Sequence, residues 1–313
     1  MEQRLAEDLG FGITRIDAGY VKPGFACFYL LESAGQFAVI ETGTVHSVDM
    51  LEQVLQARDI SRDQVRYVIP THVHLDHAGG AGLMIQRFPE AQLLVHQRGA
   101  RHLVDPSKLV AASRQVYGDS LFEQLYGEIV PVPVQRVTEV ADGESFQFGE
   151  RILLFRDTPG HADHHFCIWD EISQGWFSGD VFGTSYRWFR TPGGDFSMPA
   201  TTPSQFRPEA LKASLAVLAE RNPQRIYLTH FCELRYSTQL QASLLEQIDD
   251  YLTLARQHEA NPEYLETAIV DYSLGRVQAL NPGQDMSFMR EHFFPDAQLN
   301  AKGLIVWLQK ESA

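Results

Sequence analysis

Three histidines and an aspartate crowd into the six residues His72-Val-His-Leu-Asp-His77, directly after the apolar run Val65-Arg-Tyr-Val-Ile-Pro70. That run is β-branched and aromatic, so it is expected to form a short buried strand that delivers His72, His74, Asp76 and His77 onto the loop behind it. Alternate side chains of an extended segment share a face. His72 and His74 can therefore reach one ion while the following turn carries Asp76 and His77 to a neighbouring position. A lone buried histidine is more often a satisfied core residue than a ligand. Imidazoles and a carboxylate packed this densely all need partners for their lone pairs, however, and a cation satisfies them together. Gly79 and Gly80 are expected to permit a tight backbone path, and Ala81-Gly-Leu-Met-Ile-Gln86 to begin a helix.

Around this cluster the first third of the chain reads as strands alternating with helices. Phe25-Ala-Cys-Phe-Tyr-Leu-Leu31 and Phe37-Ala-Val-Ile40 flank a turn at Ser33-Ala-Gly-Gln36, the pattern of a hairpin. Val48, Leu51, Val54 and Leu55 have amphipathic helical spacing, with Ser47 expected as the N-cap. Gln92-Leu-Leu-Val-His96 is another short strand, reached through a helix over Met84 to Phe88. Residues 97–140 are the least legible: helix is expected around His102 to Tyr126, then extended chain through Pro131-Val-Pro-Val134, with no role assigned.

Four short strands follow at Phe146-Gln-Phe148, Arg151-Ile-Leu-Leu-Phe155, Phe166-Cys-Ile-Trp169 and Gly175-Trp-Phe-Ser178, and a helix over Pro208 to Glu220 precedes the strand Arg225-Ile-Tyr-Leu-Thr229. Beyond about Gln239 the character changes to helix upon helix. The expected division is a catalytic domain over residues 1–238 and a helical extension over 239–313. That extension either caps the core, lines a subunit interface or borders the pocket mouth.

Of the 313 residues, 44% are hydrophobic, enough for a sizeable core. A formal net charge of -14 argues against a phosphate-backbone partner, so no nucleic acid is expected. No apolar run reaches the roughly 20 residues needed to span a bilayer, and the N-terminal residues lack a signal pattern; no membrane partner and a cytoplasmic location are expected. The odd number of cysteines, Cys27, Cys167 and Cys232, fits free thiols.

Three further stretches share one format, a β-rich run ending in a residue of metal-binding type: Phe155-Arg-Asp-Thr-Pro-Gly-His161, Trp176-Phe-Ser-Gly-Asp180 and Ile226-Tyr-Leu-Thr-His230. Each is weak alone, since a histidine after Pro-Gly or an aspartate after glycine also serves turns. Their order with the first cluster resembles the metallo-β-lactamase fold superfamily over about residues 10–235: His-x-His-x-Asp-His, then Gly-His, then Asp, then His. The resemblance implies an α/β fold, an αββα four-layer sandwich, here with a C-terminal helical extension. It also implies that His72, His74 and His161 hold one metal and Asp76, His77 and His230 a second, with Asp180 bridging both. Where the family usually has Asp-Thr-Gly after an early strand, this chain has Glu41-Thr-Gly43. That acid supports the site in the family and does not bind metal, so the departure bears on how the ligands are held.

Two divalent ions per chain are thus expected, with zinc favoured and iron or manganese suiting the same donors. Two adjacent cations imply a hydrolase that uses a bridging hydroxide, with Asp76 and Asp180 as catalytic carboxylates. The aromatic segment after Asp180 is a candidate pocket wall, in which Phe182 and Tyr186, with His164 nearby, are candidate substrate contacts. A small-molecule substrate of thioester or lactone type is expected, and a homodimer is left open. A mononuclear iron persulfide dioxygenase-like enzyme and a metal-bound sensor with vestigial activity are the alternatives.

Overall fold

The computed structural model describes residues 5–190, 193–201, 203–258, 261–283 and 285–312. In chain order, an antiparallel run of β1 (Ala6–Asp8), β2 (Ile13–Asp17), β3 (Cys27–Ser33) and β4 (Gln36–Ile40) comes first. Ala34 and Gly35 close the β3–β4 hairpin with φ of 52° and 71°, the left-handed pair that matches strand twist in a two-residue loop. The chain then alternates: α1 (Ser47–Ala57), β5 (Val65–Ile69), the single turn α2 (Leu75–Ala78), α3 (Ala81–Arg87) and β6 (Gln92–His96). Strands β4, β5 and β6 run parallel to one another. They read as nearly continuous apolar runs, as strands covered on both faces do.

Residues 97–140, expected as one helical region and then extended chain, form three helices, α4 (Gln97–Val104), α5 (Ser107–Tyr117) and α6 (Asp119–Tyr126), then β7 (Val137–Val140), which joins β6 in parallel. Gly118 separates α5 from α6 at a φ of 76°, which ends one helix before the next begins. The expected cap of α1 is corrected. Ser47 is the first helical residue and His46 occupies the cap, while Ser47 Oγ donates to Ala18 O at 2.7 Å and accepts from Thr44 N at 3.1 Å.

The second sheet begins with β8 (Ser145–Phe148), β9 (Arg151–Asp157), β10 (Phe166–Asp170) and β11 (Gly175–Gly179), each antiparallel to the next. After α7 (Pro208–Ala219), strands β12 (Arg225–Leu228) and β13 (Cys232–Arg235) complete its six. The helices α8 (Thr238–Gln257), α9 (Pro262–Leu280) and α10 (Met286–Glu311) make the C-terminal helical region. Two sheets flanked by helices match the expected α/β sandwich. Among the described residues, no helix is long and apolar enough to cross a membrane.

By internal contacts the chain divides into two compact units, Met1–Asp157 with His164–Gly179 and Tyr227–Glu233, and Thr158–Asp163 with Asp180–Ile226 and Leu234–Ala313. In the first unit the two sheets face each other through aromatic side chains. Tyr29 meets Phe177 edge-on at 5.2 Å and Tyr227 at 5.7 Å, and Tyr67 meets Phe146 at 4.7 Å. Cys27, Cys167 and Cys232 are buried free thiols, and desolvation pushes the Cys27 thiol up to about 12. In the second unit α10 fastens the segment after Asp180. Asn300 accepts from Thr201 N at 2.7 Å and donates to Pro199 O at 3.0 Å, and Phe293 stacks on Phe189 at 4.4 Å.

One ion pair in the first unit is fully buried. Arg151 Nη1 reaches both carboxylate oxygens of Asp170 at 2.8 Å, and its Nε donates to Glu32 O at 3.0 Å. Removing the cation strands a desolvated carboxylate, so Arg151→Met is expected to cost about 3–5 kcal/mol. Urea denaturation checks this; a loss below ~1 kcal/mol would show that the pair is dispensable.

Candidate metal centre

Glu41 is the point on which the first unit's cluster is built. It follows β4 at a φ of 64°, a left-handed conformation rare outside glycine, and is 1% exposed. Its Oε2 accepts from Thr71 N at 3.0 Å. Its Oε1 accepts from Thr71 Oγ1 at 2.5 Å, from Thr229 Oγ1 at 3.0 Å and faces His77 Nδ1 at 3.0 Å. One carboxylate thus ties together the ends of β4, β5 and β12.

These contacts dictate the tautomers. A carboxylate accepts only, so His77 carries its proton on Nδ1 and presents the Nε2 lone pair. His230 behaves alike, with Nδ1 directed at Phe25 O at 3.2 Å and Nε2 turned to Asp76 Oδ2 at 3.2 Å. His77 Nε2 lies 3.7 Å from the same oxygen. The ligand atoms of Asp76, His77 and His230 fall within 4.8 Å of one another. Two imidazole lone pairs and a carboxylate oxygen, with the far ring nitrogens held by acceptors, are the donor chemistry of a divalent cation site. Glu41, His72 and His77 also come within 4.8 Å. Glu41 already receives these hydrogen bonds on both oxygens, which makes it a support of the cluster.

Thr71 links the second pair to the same support. Its hydroxyl donates to Glu41 and therefore accepts from His72 Nδ1 at 3.1 Å, which turns His72 Nε2 towards His74 Nδ1, 2.9 Å away. His164, 7% exposed, and His165, fully buried, both lie beside these rings, His164 at 5.7 Å from His74 and His165 stacked at 4.9 Å on His72. The glycines expected to relieve a tight path do something different. Gly79 and Gly80 are helical in backbone (φ of -62° and -82°), and a Cβ on Gly80 would stand 2.7 Å from Thr44 O and 2.8 Å from Thr42 O. Close approach of backbones is the constraint there.

In the second unit His161 follows the same rule. Its Nδ1 donates to Ala200 O at 3.1 Å while Nε2 faces Asp180 Oδ2 at 3.4 Å, and both residues are buried. Phe182 and Tyr186 are 0% exposed, and Tyr186 gives its hydroxyl proton to Asp296 Oδ1 at 2.9 Å.

Sequence reasoning missed the supports Thr71 and Thr229, and a set of phenols near Asp76. Tyr20 and Tyr126 share a hydrogen bond at 2.8 Å, and the Tyr117 ring lies 5.6 Å from that of Tyr126. Burial, and then the Asp76 charge, raise the Tyr117 and Tyr20 hydroxyls above their usual range, so both stay protonated donors. Tyr117 and Tyr126 sit in the stretch without legible periodicity, where no local signal marks them.

The family model of the metallo-beta-lactamase superfamily matches residues 21–230. A metallo-beta-lactamase fold-containing protein of Sulfurisphaera tokodaii is 26% identical over 225 residues, 70% of this chain and 78% of that one. The human acyl-coenzyme A thioesterase MBLAC2 is 28% identical over 200 residues, which cover 56% of this chain and 65% of the thioesterase, slightly under two thirds of its length. Among solved structures, a metallo-beta-lactamase family protein of Thermus thermophilus superposes with a TM-score of 0.66 at 20% identity, covering 98% of this chain and 96% of that one.

A carboxamide in place of the Glu41 carboxylate would set at least one donor against another donor at Thr71, Thr229 or His77. Glu41→Gln is therefore expected to weaken metal binding by about 10–100-fold, measured by titration in metal buffers. Unchanged affinity would remove Glu41 from the support of the site.

Proposed function

The chain belongs to the metallo-beta-lactamase superfamily, and from that premise we propose that it is a dinuclear metal-dependent hydrolase of a small ester-like substrate, a thioester in preference to a lactone. The observation that carries the reading is the set Asp76, His77 and His230, in which both imidazoles are tied at Nδ1 and turn Nε2 to one carboxylate oxygen. A core-packing role would not require that shared tautomer.

The proposed ligand assignment follows the order of residues along the chain: His72, His74 and His161 for one ion, Asp76, His77 and His230 for the other, Asp180 for both. When bound, such cations supply an acidified water and polarise the carbonyl under attack. The remaining work falls to the protein. Glu41 and Thr71 hold the rings of His77 and His72 in orientation, and Asp76, partly exposed, is assigned proton transfer. The thioester preference draws on the thioesterase relative, and on an acidic chain that disfavours nucleic-acid substrates. Zinc is the expected ion, with iron or manganese compatible with the donors.

Elemental analysis of protein purified without chelator is expected to return two ions per chain, and the metal-loaded protein to hydrolyse acyl-thioesters. Asp76→Asn is expected to lower kcat/KM by about 10²–10⁴-fold. A single iron with oxygen uptake, or a fully loaded protein inert to thioesters and lactones, would overturn the reading.

A further inference from the structure

The first half of the stretch whose role the sequence leaves blank carries a charge opposite to that of the molecule, while the acids of its second half bring the whole of 97–140 to neutrality. Over residues 97–118, Arg98, Arg101, Lys108 and Arg114 stand against the single acid Asp105, in a chain of formal net charge -14. Arg114 is engaged with Asp119 and Glu123, and Asp105 accepts from Ser107 N at 3.1 Å. Arg98, Arg101 and His102 are spaced i, i+3, i+4 on α4 and so share one helix face. Arg98, Arg101 and Lys108 are exposed, and Arg101 Nε donates to His102 Nε2 at 3.3 Å.

The other, buried side of α4 packs beside the candidate ligands through Gly99, and the link from there to the basic face runs through His102. A Cβ on Gly99 would stand 2.8 Å from Val73 Cγ1 and 3.7 Å from His164 Cβ, so the α4 backbone presses on the residue between His72 and His74. From His74 the ring contacts run to His164 at 5.7 Å and on to His102 at 6.2 Å, whose Nε2 accepts from Arg101. All of these residues belong to the first unit. Partial burial, and then the charges of Arg101 and Lys108, depress the basicity of His102. Its Nε2 accepts from Arg101, and the cations stand beside it.

We propose that the basic face of α4, Arg98 and Arg101 with Lys108 at the start of α5, recognises an anionic group carried by the substrate on the side away from the scissile bond. For a thioester, that group belongs to the thiol carrier. Guanidinium forks match phosphate and carboxylate oxygens in paired hydrogen bonds, and phosphate, with the larger charge, is the better fit for three cations. A basic face in an acidic chain also concentrates anions locally, because the net charge of the rest disfavours them elsewhere. The inference rests on the metallo-hydrolase reading only for the word substrate; anion binding by the face can be measured without turnover.

The experiment is calorimetric titration of the metal-loaded protein with coenzyme A, against the Arg98→Ala/Arg101→Ala double variant, at low and high salt. Binding is expected to weaken about tenfold or more in the variant and to fall with ionic strength, with Arg101→Lys recovering part of the loss. Thermal unfolding of each variant separates this from misfolding. In turnover, KM for an acyl-coenzyme A should rise at least tenfold more than KM for the uncharged N-acetylcysteamine thioester of the same acyl group. Glutathione competing as well as coenzyme A, with the same arginine dependence, supports the face and assigns it to carboxylate. Equal binding by variant and wild type, or binding indifferent to salt, overturns the proposal. Arginine-dependent binding without thioester turnover would keep the face and remove the thioesterase reading; turnover without arginine dependence would do the reverse.

Discussion

A single buried carboxylate sets the geometry of the first unit's site. Glu41 collects Thr71, Thr229 and His77, three residues remote in sequence that follow strands β5 and β12 or ride on the turn behind β5. Its backbone is left-handed, with a φ of 64°. Strain of that kind persists only where the surroundings over-determine it, and four hydrogen bonds to one side chain do so. The resemblance leads one to expect aspartate here. The extra methylene of glutamate is accommodated with both oxygens used as acceptors.

The consequence reaches the histidines through their protons. An imidazole presents one lone pair, and which nitrogen presents it depends on what the other nitrogen touches. His77 touches Glu41, His230 the Phe25 carbonyl, His72 the Thr71 hydroxyl, and in the second unit His161 touches the Ala200 carbonyl. In all four, Nδ1 is spent on the scaffold and Nε2 is offered. His74 differs, its Nδ1 facing His72 Nε2, and the rings together form groups that could hold metal ions.

The segment without sequence periodicity supplies what surrounds the cluster. Helices α4, α5 and α6 bring a basic face to one flank, beside His164, and phenols to the neighbourhood of Asp76. Protonated phenols and fixed cations complement developing or resident negative charge, in contrast to an otherwise acidic surface. The segment expected to form a pocket wall, by contrast, is largely turned inward: Phe182, Tyr186 and Phe189 are buried, and α10 takes the Tyr186 hydroxyl through Asp296.

Strands and the His/Asp cluster were legible because both leave local marks. Val65–Ile69, Gln92–His96 and the hairpin at Ala34-Gly35 announce themselves by β-branched runs and turn residues, and the His-x-His-x-Asp-His cluster by a density of side chains of metal-binding type. Hydrophobic period and donor chemistry are properties of neighbours in sequence. Those alone sufficed for the strands, the histidine-rich loop and the family. What the tertiary structure decided involves partners far apart in the chain: Glu41 with Thr229, His230 with the Phe25 carbonyl, Tyr20 with Tyr126, His164 with His102. A hydrogen bond across 188 residues has no periodicity to read. The tautomers, the support of the site and the charge beside it therefore emerge only when the sheets bring those segments together.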